Sequence, residues 1–369
     1  MVTVFTSDAL DAHERARRDE PQSDLEIWRF RNVSNSLAWK GRMFISPGLR
    51  SATKASLDRF DIVHLHEYRS FQNLVVAPLA RARLVPVVIQ AHGSLSASEG
   101  HGFWKKLYDA FLGQKVLDCT ARAIALSLDE AELYTQIGVP SNKVEVVPNA
   151  LSPPPSIPRD SGRLFRNSYA IDREAGVVTY LGRLHQSKGI DLLLEAAAAM
   201  AKTSRRFALL LAGPDDGAGS HLKKRAERLG IASLVRFTGF LEEEARLSAL
   251  QASDVVVIPA FTGFPITILE AYLLERPVVT TERSDRLDWL TDAVARTTRF
   301  EAGHLANAIQ ELLLNPQLRS ELGAAGKRQV LERFTWDTIG KRYEKLYQEC
   351  IDEARIAREP PIQCSQSCP

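Results

Sequence analysis

Two cations stand five residues apart in a segment of this chain that suits an anion. Arg183 and Lys188 lie in LGRLHQSKGI (residues 181–190), where a strand pattern ends at Gly182 and a helix pattern follows. Ligands of doubly wound sheets bind beyond the carboxyl ends of the strands, and free N–H groups at a helix N-terminus attract anions. The segment therefore predicts a diphosphate site in which both cations stabilise a departing diphosphate. A solvated surface loop is the alternative interpretation.

A second segment, FTGFPITILEA (residues 261–271), follows another apolar strand pattern. Pro265 suits the first helical position, where its missing N–H costs nothing, so the amides of Ile266 and Thr267 would be available to a phosphate. One turn later, the carboxylate of Glu270 could accept hydrogen bonds from both hydroxyls of a ribose. The alternative role of Glu270 is as a helix-dipole partner or a member of an ion pair. The two segments together predict a site for a nucleotide diphosphate-sugar, bound without a metal.

The composition is that of a soluble globular chain. Its 369 residues are 45% apolar and 25% charged with a net charge of +2, which fits two domains of roughly 150 residues each. The 47 basic and 45 acidic residues are spread along the chain, so we expect no nucleic-acid partner. Four cysteines form no paired framework and follow no secretory segment, which favours the cytoplasm. No run approaches the ~18 apolar residues of a membrane span, so any membrane contact would be peripheral.

Apolar runs alternate with helical patterns along almost the whole chain, which predicts parallel strands covered by helices on both faces. The first half contains strand patterns at residues 2–7, 26–30, 62–66, 86–91, 123–127 and 144–147. The second half contains strand patterns at residues 177–181, 207–212, 235–239, 255–259 and 277–281. We therefore predict an α/β protein of two doubly wound domains.

A proline-rich stretch separates the two sets of strands. Pro153, Pro154, Pro155 and Pro158 make a stiff connector that neither a helix nor a central strand would accept. The predicted organisation is an N-terminal domain over residues 1–151, a linker over 152–163, a C-terminal domain over 164–330, a helix over 331–355 that crosses back to the first domain, and a disordered tail over 356–369.

Further motifs lie between and after the two chemical segments: GPD at 213–215, FTGF at 237–240, GFP-x4-EA at 263–271 and RPVV at 276–279. With the Arg183 and Lys188 segment, these motifs make the chain resemble the retaining family 4 glycosyltransferases of GT-B fold over nearly its whole length. The resemblance implies two Rossmann-like domains facing across a cleft, and no cofactor or required metal. It implies transfer of a sugar from a nucleotide diphosphate-sugar to a hydroxyl of a glycan or lipid-linked acceptor, in cell-envelope polysaccharide or glycoconjugate synthesis.

The resemblance also assigns roles to residues of the C-terminal, donor-binding domain. Arg183 and Lys188 correspond to the diphosphate-binding pair, and Glu270 to the ribose-binding glutamate that ends the family's Glu-x7-Glu motif. Thr262 occupies the position of the first glutamate, so we expect an altered contact with the donor sugar, with changed sugar preference or weaker activity. The other residues predicted to bind the donor are Gly182, Gly213, Phe240, Gly263, Phe264, Ile266 and Thr267.

In the N-terminal, acceptor-side domain, the segment QAHGS (residues 90–94) follows a strand and resembles the histidine-bearing loop that faces the transferred sugar. His92 is the candidate for a catalytic contact, with Gly93 beside it, although a lone histidine is often structural. His66 and Glu67 are predicted to line the acceptor side. His64 and His66 share one face of a strand, but a metal site would need further ligands that are not evident nearby, so we predict none.

Residues 103–117, which begin with Phe103 and Trp104 and end at Leu117, mix apolar side chains with three lysines. Such an amphipathic basic helix can lie on an anionic bilayer, which would give a peripheral membrane contact. An ordinary helix packed on the sheet is the interpretation that the pattern favours.

One departure from the family pattern leaves other functions open. Met1 lies just before what corresponds to the family's second strand, so we expect the first βα unit, of about 30 residues, to be missing. An impaired or non-catalytic nucleotide-sugar-binding subunit would suit this departure and Thr262. An epimerase or hydrolase of GT-B fold would act on a nucleotide-sugar without any acceptor.

Overall fold

The computed structural model describes residues 1–16, 24–41, 43–95, 105, 107–153, 157–203 and 206–358. The chain forms two compact units. The N-terminal unit consists of Met1–Ala125, Glu130–Val146 and the chain from Tyr343 onward, and the C-terminal unit consists of Leu126–Asp129 and Val147–Arg342. Residues from both ends of the chain therefore complete the N-terminal unit.

The N-terminal unit contains two parallel sheets. Strands β1 (Val2–Ser7) and β2 (Leu25–Phe30) pair with each other. A four-stranded sheet has the order β3 (Val63–His66), β4 (Val87–Gln90), β5 (Arg122–Ala125) and β6 (Val144–Val146). Every residue of β4 is buried, as expected for a strand covered on both faces. The helices are α1 (Asn35–Gly41), α2 (Gly48–Ser56), α3 (Phe71–Ala82), α4 (Gln114–Leu117), which follows a π-helical turn at Asp109–Gly113, and α5 (Leu128–Gln136), whose first two residues belong to the C-terminal unit.

The C-terminal unit is built on one six-stranded parallel sheet. Its strands are β7 (Gly176–Leu181), β8 (Phe207–Ala212), β9 (Val235–Gly239), β10 (Val255–Ile258), β11 (Val278–Thr281) and β12 (Ala295–Thr298), in the spatial order β12-β11-β10-β7-β8-β9. The helices are α6 (Ser161–Ser168), α7 (Ile190–Ala201), α8 (Gly219–Arg228), α9 (Glu243–Ala252), α10 (Ile266–Leu273), α11 (Ala302–Leu314), α12 (Pro316–Arg333) and α13 (Trp336–Arg358), which continues into the N-terminal unit.

The strand order reverses between β7 and β10. The chain moves from β7 to β8 on one side, while β10 pairs with the other side of β7. In open α/β sheets this reversal creates a crevice at the carboxyl ends of the strands, and ligands bind there. The loops that follow β7 and β10 are therefore the loops that a ligand of this unit would contact.

Two glycines let the loop after β7 lie close to the loops after β8 and β10. A Cβ on Gly213, after β8, would lie 2.0 Å from the carbonyl oxygen of Gly182, after β7, and Gly213 has a φ of +143°. Gly189 has a φ of +70°, and a Cβ there would lie 3.0 Å from the Cβ of Pro259 in the loop after β10. The loop after β7 therefore packs against both neighbouring loops because glycine stands at these contacts.

Every predicted strand is present within one or two residues of its expected bounds, and β12 was not predicted. The predicted linker is shorter than 152–163, since α6 begins at Ser161. Its first amides are already bonded: Ser161 N–H donates to the carbonyl of Pro158 (3.1 Å) and Gly162 N–H to Oε1 of Gln251 (2.9 Å). Pro154 and Pro155 lie outside the described residues.

The C-terminal helical region differs from the prediction at two points. Helix α12 ends at Arg333, and α13 begins at Trp336, because Phe334 turns into the core against Trp289 with ring centroids 4.9 Å apart. The predicted end at residue 355 is too early: α13 continues to Arg358, whose guanidinium donates to the carbonyl of Leu84 (2.5 Å). The rest of the predicted disordered tail, residues 359–369, lies outside the described residues. Within the described residues, no helix is both long and apolar enough to span a membrane.

We predict that Gly213→Ala lowers the free energy of unfolding of the C-terminal unit, because the new Cβ would collide with the backbone of Gly182. Gly230→Ala is the matched control, since Gly230 also has a positive φ, +71°, but nothing lies within 4 Å of its added Cβ. In the control, the free energy of unfolding should fall only by the cost of a left-handed backbone at alanine, roughly 1–2 kcal/mol. Urea unfolding measures both changes, and equal losses would contradict the close contact.

Candidate functional site

The turn after β7 places both predicted cations at the start of a helix. Residues Gln186–Lys188 form a 3₁₀ turn, and Nδ1 of His185 accepts a hydrogen bond from the N–H of Ser187 (3.2 Å) at its start. Gly189 then leads into α7. The hydroxyl of Tyr180 donates to the carbonyl of Arg183 (2.8 Å), which holds the backbone of the turn. The structure thus places Lys188 directly before the N-terminus of α7, as the sequence predicts.

Backbone hydrogen bonds join this turn to the loop after β8. Leu184 N–H donates to the carbonyl of Pro214 (2.9 Å), and Asp216 N–H donates to the carbonyl of Leu184 (3.1 Å). This pairing brings the carboxylate of Asp216 to the guanidinium of Arg183, which donates to it from Nη1. Both side chains are substantially exposed, at 50% for Arg183 and 39% for Asp216. Arg183 thus has an acidic partner that sequence reasoning missed, because no motif joins positions so far apart in the chain.

The loop after β10 leads into α10, with one difference from the prediction. Pro265 is the N-cap, with φ −81° and ψ 98°, so the helix begins one residue later, at Ile266. The amides of Ile266 and Thr267 are then the first in the helix and have no carbonyl partner within it. Gly263 has a φ of +71° and donates its N–H to the carboxylate of Asp285 (2.6 Å), which holds the loop in place.

The side chains predicted to contact the donor divide into two groups. Phe240 is 66% exposed, Ile266 is 42% exposed, and Thr262 is also exposed. Phe264 is 7% exposed and packs in the core, with its ring centroid 5.5 Å from that of Trp289. The ring of Phe264 therefore belongs to the hydrophobic core, and the donor contact expected at this position stays a prediction.

Glu270 is buried on α10 and forms an ion pair. Its Oε1 lies 3.1 Å from Nη2 of Arg246 on α9, and its side chain is only 7% exposed. Burial raises the pKa of Glu270, while the charge of Arg246 opposes that rise. The ion pair that the sequence left open as an alternative is present, and its partner was not predicted.

In the N-terminal unit, the predicted site residues His66, at the end of β3, and His92, after β4, stack with His64 of β3. Nδ1 of His66 lies 2.8 Å from Nε2 of His92, and the rings of His64 and His66 have centroids 4.4 Å apart. Nδ1 of His64 lies 2.6 Å from the hydroxyl of Tyr347 on α13. Burial and the neighbouring imidazoles lower the pKa of His92 to about 4 and that of His64 to about 3. Both rings are therefore neutral at pH 7.

The backbone of the His92 loop is strained and firmly attached. His92 has a φ of +53°, a left-handed conformation that is uncommon for a residue with a side chain. Next to it, the N–H of Gly93 donates to Oε1 of the buried Glu130 (2.5 Å). The predicted acceptor-side residue Glu67 also has a positive φ, +64°, and its carbonyl accepts from the side chain of Asn73 (2.7 Å).

Arg69, which was not predicted, connects this loop to a neighbouring helix. Its guanidinium donates to the carbonyls of Ser94 and Leu95, the latter at 2.9 Å, and pairs with Asp109 (2.7 Å). Only 12% of the Arg69 side chain is exposed. Its place at the carboxyl end of β3 was a usable signal in the sequence, but its partners are 25 to 40 residues away.

Among the described residues, no group of three or more His, Cys, Asp or Glu side chains is arranged to hold a metal ion. In the segment 103–117, the described Phe111 is 68% exposed, while Val116 and Leu117 are buried. Phe103 and Trp104 lie outside the described residues.

Comparison with known proteins gives matches to both halves of the chain. The family model described as "Glycosyl transferase 4-like domain" matches residues 1–150, and that described as "Glycosyl transferases group 1" matches residues 163–329. A D-inositol 3-phosphate glycosyltransferase of Gordonia bronchialis is 32% identical over 341 residues, covering 86% of this chain and 72% of the relative. D-inositol 3-phosphate glycosyltransferase 2 of Catenulispora acidiphila is 29% identical over 336 residues, covering 85% and 77%.

Solved structures are similar in fold at lower identity. Anabaena HepE, in complex with UDP-glucose, superposes with a TM-score of 0.71 at 21% identity, covering 88% of this chain and 86% of HepE. Sucrose-phosphate synthase from Thermosynechococcus elongatus has a TM-score of 0.70 at 19% identity, covering 95% of this chain and 89% of the synthase. These matches show the GT-B fold.

We predict that His92→Asn makes stability less dependent on pH. The pKa of His92 lies near 4 in the folded protein and near the ordinary 6.5 when unfolded. The unfolded chain therefore binds the proton first as the pH falls. The contribution of neutral His92 to the free energy of unfolding is complete above pH 6.5 and is lost as the pH falls toward 4. Asparagine tolerates the left-handed backbone. The urea midpoint should fall less between pH 7 and pH 4.5 for the variant than for the wild type. Equal falls in the two proteins would contradict the shifted pKa.

Proposed function

The chain belongs to the family 4 glycosyltransferases of GT-B fold, and we propose that it transfers a sugar from a nucleotide diphosphate-sugar to a hydroxyl acceptor with retention of configuration. The observation that carries the proposal is the meeting of the loops after β7 and β10 where the strand order reverses. These loops present Arg183, Lys188 and the N-terminus of α10 at the edge where such sheets bind ligands. Glu270 lies one turn inside that helix.

The comparisons support the donor class. HepE has been crystallised with UDP and with UDP-glucose, and several relatives are named as glycosyltransferases acting on D-inositol 3-phosphate. For the acceptor we propose a glycan or a lipid-linked hydroxyl in cell-envelope polysaccharide or glycoconjugate synthesis. The names of the relatives favour an inositol phosphate as a second candidate.

In the proposed reaction, the acceptor hydroxyl attacks the anomeric carbon on the face from which the diphosphate leaves. The bond from that carbon to the phosphate oxygen breaks, and the leaving phosphate oxygen takes the proton of the hydroxyl. Arg183 and Lys188 stabilise the charge that develops on the diphosphate, which supplies the function that a metal ion has in other transferases. His92 is neutral at pH 7, so its imidazole can form a hydrogen bond with a sugar hydroxyl without adding a charge to the site.

Two other functions are separated from this proposal by one assay. Purified protein is titrated with UDP-, GDP- and ADP-sugars. Nucleotide release and isomerisation of the donor sugar are then measured with and without glycan, lipid-linked and inositol phosphate acceptors, in the presence of EDTA. A transferase releases nucleotide only with an acceptor, and a hydrolase or epimerase turns over without one. A binding subunit, which the substitution at Thr262 would suit, binds the donor without turnover.

We predict that Lys188→Ala lowers turnover by roughly 100- to 1,000-fold, the usual effect of removing one group that stabilises transition-state charge. Lys202→Ala is the matched control, because Lys202 is an exposed lysine at the opposite end of α7. The control should keep wild-type turnover, and both variants should keep the wild-type melting temperature. Unchanged transfer by Lys188→Ala would refute the assignment of this turn.

We also propose a cytoplasmic protein that meets membranes, when its acceptor is lipid-linked, through the exposed face around Phe111. Phe111→Glu should reduce co-sedimentation with anionic vesicles several-fold, because it removes an exposed ring and adds a repelled charge. Leu164→Glu is the control, since Leu164 is 53% exposed on α6 of the other unit. Equal sedimentation of both variants and the wild type would contradict this contact.

A further inference from the structure

The ion pair between Arg246 and Glu270 joins two neighbouring helices of the C-terminal unit. Helix α9 follows β9 and carries Arg246, while α10 follows β10 and carries Glu270. The guanidinium Nη2 lies 3.1 Å from the carboxylate Oε1. The arginine side chain is 33% exposed and the glutamate side chain 7% exposed, so the arginine covers a carboxylate that is almost excluded from water.

We propose that Arg246 is a positioning residue of the nucleotide site, which holds the carboxylate of Glu270 in place and in its charged form to receive the ribose hydroxyls. The proposal rests on the proposed function, because it takes Glu270 as the ribose-binding residue. It adds a residue of α9, a helix that carries neither of the two chemical segments of the sequence.

Charge explains why Glu270 needs such a partner. An ionised carboxylate accepts hydrogen bonds at both oxygens, whereas in a protonated carboxyl group one oxygen carries the proton and acts as a donor. Burial favours the protonated form and raises the pKa of Glu270, and the acidic Glu243 at the start of α9 acts in the same direction. Arg246 opposes both effects. A carboxylate without this arginine would be a weaker acceptor for a ribose.

A second observation points to a ligand at this place. The Nε–H of Arg246 is buried and makes no hydrogen bond to any described residue. Leaving a buried donor without a partner costs free energy, so a ligand atom that accepted from it would offset that cost. An oxygen of a ligand bound beside Glu270 could accept from it.

The test measures binding of the nucleoside diphosphate that binds most tightly among UDP, GDP and ADP, and of its 2′-deoxy and 3′-deoxy forms. We expect Arg246→Met to weaken binding of the ribonucleotide about tenfold and to remove the preference over the deoxy forms, as Glu270→Gln should. In the Glu270→Gln background, Arg246→Met should have little further effect, because the two residues act as one unit. Arg246→Lys should retain part of the preference, because lysine keeps the charge without the planar fork.

Arg225→Met is the matched control. Arg225 pairs with Glu195 in the same unit, and its side chain is 32% exposed, almost the same as that of Arg246. This variant should bind the nucleotide and its deoxy forms as the wild type does. If Arg246→Met does not fold, Arg246→Lys tests the same proposal, since its preference for ribose must fall between those of the wild type and Glu270→Gln.

Three results would overturn the proposal. Arg246→Met could weaken the ribonucleotide and deoxy forms equally, its effect could add fully to that of Glu270→Gln, or it could leave binding unchanged while Glu270→Gln weakens it. In each of these results the proposed function survives without the role of Arg246. If the wild type binds none of the three nucleotides, the proposed function fails and the role of Arg246 fails with it.

Discussion

The contact between the backbones of Gly182 and Gly213 is the constraint on which the C-terminal site depends. Parallel strands deliver their loops to one edge of a sheet, and a side chain at Gly213 would collide with the carbonyl oxygen of Gly182. Here the absence of a Cβ lets the loops after β7 and β8 touch, and hydrogen bonds around Leu184 then join them. Arg183 and Asp216 meet because of that join. The position of the cationic turn thus follows from a steric property of two glycines.

The two ion pairs at the candidate site of the C-terminal unit differ in a way that matches what each would do for a ligand. Arg183 and Asp216 are half exposed, where an ion pair contributes little and is screened by salt. A diphosphate with several charges can displace such a carboxylate. Glu270 is buried, and an ion pair there is strongly held because a lone buried charge is unfavourable. Arg183 can therefore exchange its carboxylate partner for a diphosphate, whereas the carboxylate of Glu270 is kept in a fixed place.

The sequence predicted the parts that depend on local patterns and missed those that depend on distant pairs. Continuous apolar runs located the strands and glycines located the turns, but β12 has the polar sequence ARTT and no such signal. Phe264 and Phe334 are buried by packing against Trp289, which no helical or strand period reveals. Arg69 and Arg246 act on partners tens of residues away, and charge pairing at that separation has no repeat in the sequence.

The N-terminal unit contains both ends of the described chain, and His64 bonds with Tyr347, 283 residues later. A ribosome delivers residues in order, so this unit stays without its last helix while the whole C-terminal unit is synthesised. At about 5–20 residues per second this interval lasts roughly 10 to 40 seconds. The hydrogen bond between His64 and Tyr347 therefore forms only after residue 347 has been synthesised, and the nascent protein must keep its first sheet soluble until then.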